Sequence, residues 1–245
     1  MRKIFSICSM LLLSLCLQVN ALANVAQNKA PVFKIFELEL LPGAIISFDQ
    51  LNQVKVMNSI SKENGVLTMY SLKSRTNPHN SYLIELYASD QSYQNYLKTF
   101  EYQLFSHNLE VLVKHKQVVI EVEPVFLFDK MFMQTSKNKI LLVKVEVRKG
   151  EINHYRHQLL ELLKKTQDQE KQVLAVYAGY SKNKENTWYL LEVFNNEEAY
   201  NNYVNGEFFQ TYLRNTKTCI IERTIIDVTP TFLMSQGVSN YKVNN

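Results

Sequence analysis

Apolar positions along this chain change their period in a fixed order, and that order occurs twice. Val32 to Leu40 is dense in Val, Ile, Leu and Phe, the composition of a strand. After a glycine turn, Ile46 to Ser61 carries apolar residues at helical spacing. Val66 to Leu72 and Ser81 to Tyr87 read as two further strands, joined by the polar loop Arg75-Thr76-Asn77-Pro78. Asp90 suits the start of a second helix, and Val118 to Val122 closes the series with another strand. The second round runs through Ile140 to Val147, a helix over Ile152 to Thr166 with Tyr155, Leu159, Leu162 and Leu163 on one stripe, and strands at Val173 to Tyr180 and Thr187 to Phe194. A helix opening at Asn196 and a strand over Ile220 to Val228 complete it.

The two rounds are copies. Sliding the chain against itself by 107 positions puts Glu39 on Glu146, Gly43 on Gly150, Tyr70 on Tyr177 and Ser74 on Ser181. The same offset puts Tyr82-Leu83-Ile84-Glu85 on Tyr189-Leu190-Leu191-Glu192, and Tyr93-Gln94-Asn95-Tyr96 on Tyr200-Asn201-Asn202-Tyr203. One deletion later, Pro124-Val125-Phe126-Leu127 falls on Pro230-Thr231-Phe232-Leu233.

Each copy has the order β-α-β-β-α-β, a ferredoxin-like unit with both helices on one face of its sheet. Its strands are nevertheless apolar on both faces, as Tyr82-Leu83-Ile84 and Tyr189-Leu190-Leu191 show, so the second face must also be buried. The expected fold is α+β, with two ferredoxin-like units packed sheet to sheet as an intrachain pseudo-dimeric α+β barrel. The units are expected over residues 32–128 and 140–233, with a tail over 234–245.

The N-terminus has a different character. Arg2 and Lys3 precede an almost continuous apolar run from Ile4 to Leu17, and Ala21-Leu22-Ala23 has the small-x-small form of a cleavage site. A signal peptide over residues 1–23 is therefore expected, with export to the periplasm or beyond and no stable membrane anchor after cleavage. The apolar run is shorter than the ~20 residues of a spanning helix. Losing Arg2 and Lys3 lowers the formal charge of +4 to about +2, too small for a nucleic-acid footprint. Cys8 and Cys16 would leave with the peptide; Cys219 alone cannot form an intrachain disulfide and reads as a small buried hydrophobe in Cys219-Ile220-Ile221. Six glycines include no GxGxxG or GxxxxGK cradle, and neither a GxSxG elbow nor an HExxH helix occurs.

At Tyr82 to Tyr102, and at its echo Tyr189 to Tyr203, the chain resembles the strand-then-helix signature of the antibiotic biosynthesis monooxygenase family. In that family a Glu ends the third strand, an acidic turn starts the helix, and an aromatic on the helix is followed by His or Trp. The resemblance implies the dimeric α+β barrel. It also implies cofactor-independent oxygenation of a quinol or similar electron-rich aromatic, in which the substrate itself reduces oxygen. Glu85 with Tyr96 and Glu192 with Tyr203 are the candidate catalytic residues, where quinol-oxidising members commonly have His in place of the tyrosines. Haem-degrading relatives carry a haem-ligating His eleven residues after the helix Trp, and His107 stands at that distance from Tyr96, so haem or another flat hydrophobic ligand is the alternative. Those relatives also have Asn on the first strand, where this chain has Phe36 and Val143, and Arg214 replaces the His in the second copy.

Each residue also has a structural reading. Glu85 and Glu192 among apolar neighbours need a partner or a raised pKa, whether as proton acceptors or as members of structural ion pairs. Tyr93 with Tyr96, and Tyr200 with Tyr203, share a helix face, which suits core packing or the lining of a pocket for a small aromatic ligand. Trp188 stands opposite Ser81 of the first copy and is expected to line or plug a barrel end. His154 and His157 lack the further ligands of a metal site and read as surface residues, like the charge run Lys164, Lys165 and Asp168 to Lys171. A structural or interaction pseudo-dimer without activity is the third functional reading.

Overall fold

The computed structural model describes residues 30–237 and 239–243. The expected signal peptide lies outside them, and among the described residues no helix is long and apolar enough to cross a membrane. The first unit comprises β1 (Val32–Glu39), α1 (Ile45–Lys62), β2 (Val66–Ser74), β3 (Asn80–Tyr87), α2 (Asp90–Tyr96), α3 (Phe100–Leu109) and β4 (Val118–Asp129). The second comprises β5 (Lys139–Val147), α4 (Ile152–Gln169), β6 (Val173–Ser181), β7 (Lys184–Phe194), α5 (Glu197–Asn205), α6 (Glu207–Thr216) and β8 (Ile220–Ser235), followed by the short β9 (Asn240–Lys242).

The elements follow from local chemistry. Gly43 takes φ +82° in the β1–α1 turn, a conformation that glycine adopts without strain. Ser89 and Asn196 cap α2 and α5 by accepting the backbone N–H of Ser92 and Ala199. What reads from sequence as one second helix is two in each unit. Thr99 accepts from the Tyr102 N–H and begins α3 afresh, and Gly206 divides α5 from α6.

The strands run in the order β1-β3-β2-β8-β5-β7-β6-β4, and β4 returns to β1, so eight antiparallel strands close into a barrel with β9 added beside β4. Closure depends on β4 and β8, both longer than their apolar patterns suggest. The first half of β4 pairs with β1 of its own unit, and the second half crosses to β6 of the other. β8 does the same with β5 and β2. Each strand changes partner close to a proline, Pro124 or Pro230, where the register also shifts. Proline has no N–H for the ladder and reads as a strand end, which is why the expected strands stopped at Val122 and Val228. At one crossing Gly179 lies against β4 so closely that a Cβ would stand 2.3 Å from the Glu123 carbonyl oxygen.

Alternation sorts the strand residues. Phe33, Ile35, Ile84, Leu142, Leu191 and Val193 fill the barrel, while Leu83, Tyr87, Trp188, Leu190 and Phe194 face outward beneath the helices. Repeat mates meet inside the barrel: the Tyr70 and Tyr177 hydroxyls are 3.3 Å apart, Tyr177 donates to Asp129 Oδ2 at 2.7 Å, and Ser235, the mate of Asp129, donates to the same oxygen. A pseudo-twofold axis therefore passes through one buried hydrogen-bonded cluster.

Candidate functional site

Glu85 lies on the outward face of β3, between the sheet and the helices of the first unit, and is only 4% exposed. Burying a carboxylate requires partners. Lys55, on the sheet-facing stripe of α1 with Phe48, Asn52, Val56 and Ser59, donates from Nζ to Glu85 Oε1 at 2.6 Å. Tyr87, two residues along β3 and hence on the same face, donates its hydroxyl to Glu85 Oε2. The Lys55 ammonium also rests 4.2 Å from the centre of the Phe105 ring on α3.

Four tyrosines form one aromatic cluster beside this pair. Tyr87 contacts Tyr93 at 5.0 Å and Tyr96 at 5.3 Å between ring centres, and Tyr96 contacts Tyr102 at 5.4 Å. The Tyr96 hydroxyl is buried with Ser59 Oγ as its polar neighbour, and neither atom makes a well-formed hydrogen bond among the described residues. Burial, then the nearby Glu85 charge, hold the Tyr96 hydroxyl well above its ordinary pKa, so it is a donor and not a base at neutral pH. A cavity of about 20 Å³, room for one water molecule, lies over the pair and is lined by Phe36, Glu85, Tyr102, Phe105 and Gln117 among others.

The second unit keeps the aromatic geometry and changes the charges. Phe194 contacts Tyr200 at 5.4 Å and Tyr203 at 5.3 Å, and Tyr203 contacts Phe209 at 5.1 Å. Glu192 is as buried as Glu85, but Leu162 replaces Lys55 and Phe194 replaces Tyr87. The Tyr203 hydroxyl makes its short contact, 3.1 Å, with Thr166 Oγ1. The available cation is Arg223 on β8, where the first unit has Gln117; its guanidinium lies 5.4 Å from the Phe209 ring centre. Burial pushes Glu192 up to about 7, and Arg223 and Tyr203 offset it only in part.

Tyr93 and Tyr200 are half-buried at the cluster edges, with Lys34 4.5 Å from the Tyr93 ring centre and Lys139 5.7 Å from that of Tyr200. Trp188 neither lines nor plugs a barrel end. Tyr189 takes the inward position on β7, so Trp188 points outward under α4, packed on Tyr155 at 5.2 Å and Tyr180 at 5.4 Å. His107 is exposed on α3, whose sheet-facing residues are Phe105 and Leu109, and it does not line the cavity. These residues do not fit a haem. Cys219 is buried, and His154 and His157 are exposed. Among the described residues no group of His, Cys, Asp and Glu has the makings of a metal site.

Lys55, Tyr87 and Arg223 were not singled out by sequence. Comparing the copies could have found them: each is a position where one copy has a charged or hydroxyl side chain and the other does not, around a glutamate both retain.

The sequence profile of the antibiotic biosynthesis monooxygenase family matches residues 31–108 and 140–215. Among solved structures, a candidate monooxygenase from Fusobacterium nucleatum superposes with a TM-score of 0.85 at 19% identity, covering 89% of this chain and 100% of its own. One from Lactobacillus acidophilus gives 0.82 at 21% identity, covering 87% and 100%. An anthrone oxidase-like protein gives 0.56 at 8% identity, covering 87% and 96%. At these identities the structures share the fold. No protein of curated function matches the chain significantly.

Proposed function

The chain belongs to the antibiotic biosynthesis monooxygenase family as two fused copies, and from that premise we propose that it is an exported oxygenase of hydroxylated, electron-rich aromatics working through its first unit. The observation that carries this reading is the buried Lys55–Glu85–Tyr87 group beside the unpartnered Tyr96 hydroxyl, a combination the second unit lacks. A phenolic or enolic hydroxyl placed there can donate to Glu85 while accepting from Lys55 or Tyr96. That arrangement orients the substrate and stabilises the oxyanion formed when its proton leaves.

The reaction balances without a further reductant. An anthrone-type substrate loses a proton to Glu85, and the resulting enolate gives one electron to O₂. Recombination forms a carbon–oxygen bond, Glu85 returns its proton to the resulting peroxide, and the hydroperoxide eliminates water. The ring CH₂ becomes C=O, one oxygen atom enters the product and the other leaves as water. Lys55 holds the enolate oxygen, and Tyr96 supplies a hydrogen bond but not a base.

The test is turnover of anthrone under ¹⁸O₂ by the purified mature chain with no added cofactor. The expected product is anthraquinone carrying one ¹⁸O atom, formed faster than in buffer. Absence of enzyme-dependent product from anthrone, and of oxygen uptake with hydroquinones, would remove this reading.

A further inference from the structure

Between α1 and α3 lies a groove of about 210 Å³ with Leu51, Val54, Phe100 and Leu104 as its apolar walls, Asn58 and the Lys62–Glu101 ion pair along one side, and Lys55 and Phe105 at its inner end. Lys55 and Phe105 also line the small cavity over Glu85, so their side chains form a wall common to the two spaces. The second unit is an internal control. There the four apolar walls are Gln158, Glu161, Glu207 and Thr211, on the same helices of the same fold. Fold alone therefore does not require apolar residues at these positions. They are also costly where they stand, since Val54 is 53% exposed and Phe100 73% exposed in the first unit.

We propose that this groove binds the apolar body of a hydroxyarene of up to three fused rings, whose hydroxyl lies at Lys55 after Phe105 swings aside. The size fits, because the groove is smaller than the ~300–1,000 Å³ of drug-sized ligand sites. The polarity fits as well: four apolar side chains face the ligand body, and the inner end holds both a hydrogen-bond donor and, just beyond it, the Glu85 acceptor. Phe105 packs against both Phe48 and the Lys55 ammonium, and its rotation is the step that joins the two spaces. This inference rests on the reading of Lys55–Glu85 as the reaction centre.

The probe is 1-naphthol, followed by its fluorescence, with naphthalene as the partner lacking a hydroxyl. The variant is Val54→Glu/Leu104→Thr, which installs the second unit's residues at exposed positions, with circular dichroism confirming its fold. Saturable naphthol binding, weaker for naphthalene and weakened at least about tenfold in the variant, is expected. Such binding with no anthrone turnover leaves the groove standing and removes the proposed reaction. Equal binding by variant and wild type, or anthrone turnover with an unchanged KM in the variant, overturns the groove. So does a wild type that ignores naphthol but forms dimers or pellets with lipid vesicles in a manner the variant abolishes, because the face would then be a docking surface.

Discussion

Glu85 and Glu192 occupy the same position in two copies of one unit, are buried to the same 4% exposure, and live in opposite electrostatic conditions. Glu85 is held by Lys55 and Tyr87, while Glu192 has Leu162 and Phe194 in their places and a cation, Arg223, brought from another strand. The difference teaches that retention of a residue in both copies does not imply retention of its role. The fold conserves the carboxylate's burial; its partners decide what it can do.

Substituting the mates identically should break this comparison in opposite directions. Glu85→Gln leaves the Lys55 ammonium buried without a counter-charge and should cost about 3–5 kcal/mol of stability at neutral pH, read by urea unfolding. Glu192→Gln should instead stabilise the protein at pH 8, by up to about 3 kcal/mol, because the wild type must ionise a buried carboxyl there. The sign follows from linkage. A carboxyl raised in the folded state binds its proton more tightly there, so its contribution is complete below the unfolded pKa near 4.5 and is lost as pH rises through about 7. The advantage of Glu192→Gln should accordingly shrink toward pH 4.5, and an advantage independent of pH would contradict the assignment.

Smaller changes sharpen the contrast. Tyr87→Phe, which installs the second unit's residue, removes a hydrogen bond to a carboxylate and should cost about 1.5–3 kcal/mol by thermal or chemical unfolding. The mirror change Phe194→Tyr should lower the Glu192 pKa, visible as a displaced carboxyl titration in ¹³C spectra. At the barrel axis Tyr70→Phe should cost about 0.5–1.5 kcal/mol, less than Tyr177→Phe, since only Tyr177 donates to Asp129.

The duplication, the order of elements and the burial of both sheet faces were legible because all three are carried by apolar period, a local property of sequence. The closing halves of β4 and β8 were hidden because Pro124 and Pro230 look like strand ends unless the partner strand is known. At the site, Glu85, Tyr93 and Tyr96 stood out by repetition. Lys55 did not, because a lysine on an amphipathic helix ordinarily faces water, and only the tertiary placement of Glu85 draws it inward. The face Trp188 takes was not legible, because it depends on the register of β7, fixed in space by Tyr189 inside.

The assignment of chemistry to the first unit is tested most directly by kcat/KM for anthrone in Glu85→Gln and Glu192→Gln, measured side by side at low temperature with both variants shown folded by near-UV circular dichroism. Loss of about 10²–10⁴-fold in Glu85→Gln with wild-type turnover in Glu192→Gln is the expected result. Equal losses, or loss in Glu192→Gln alone, would contradict it.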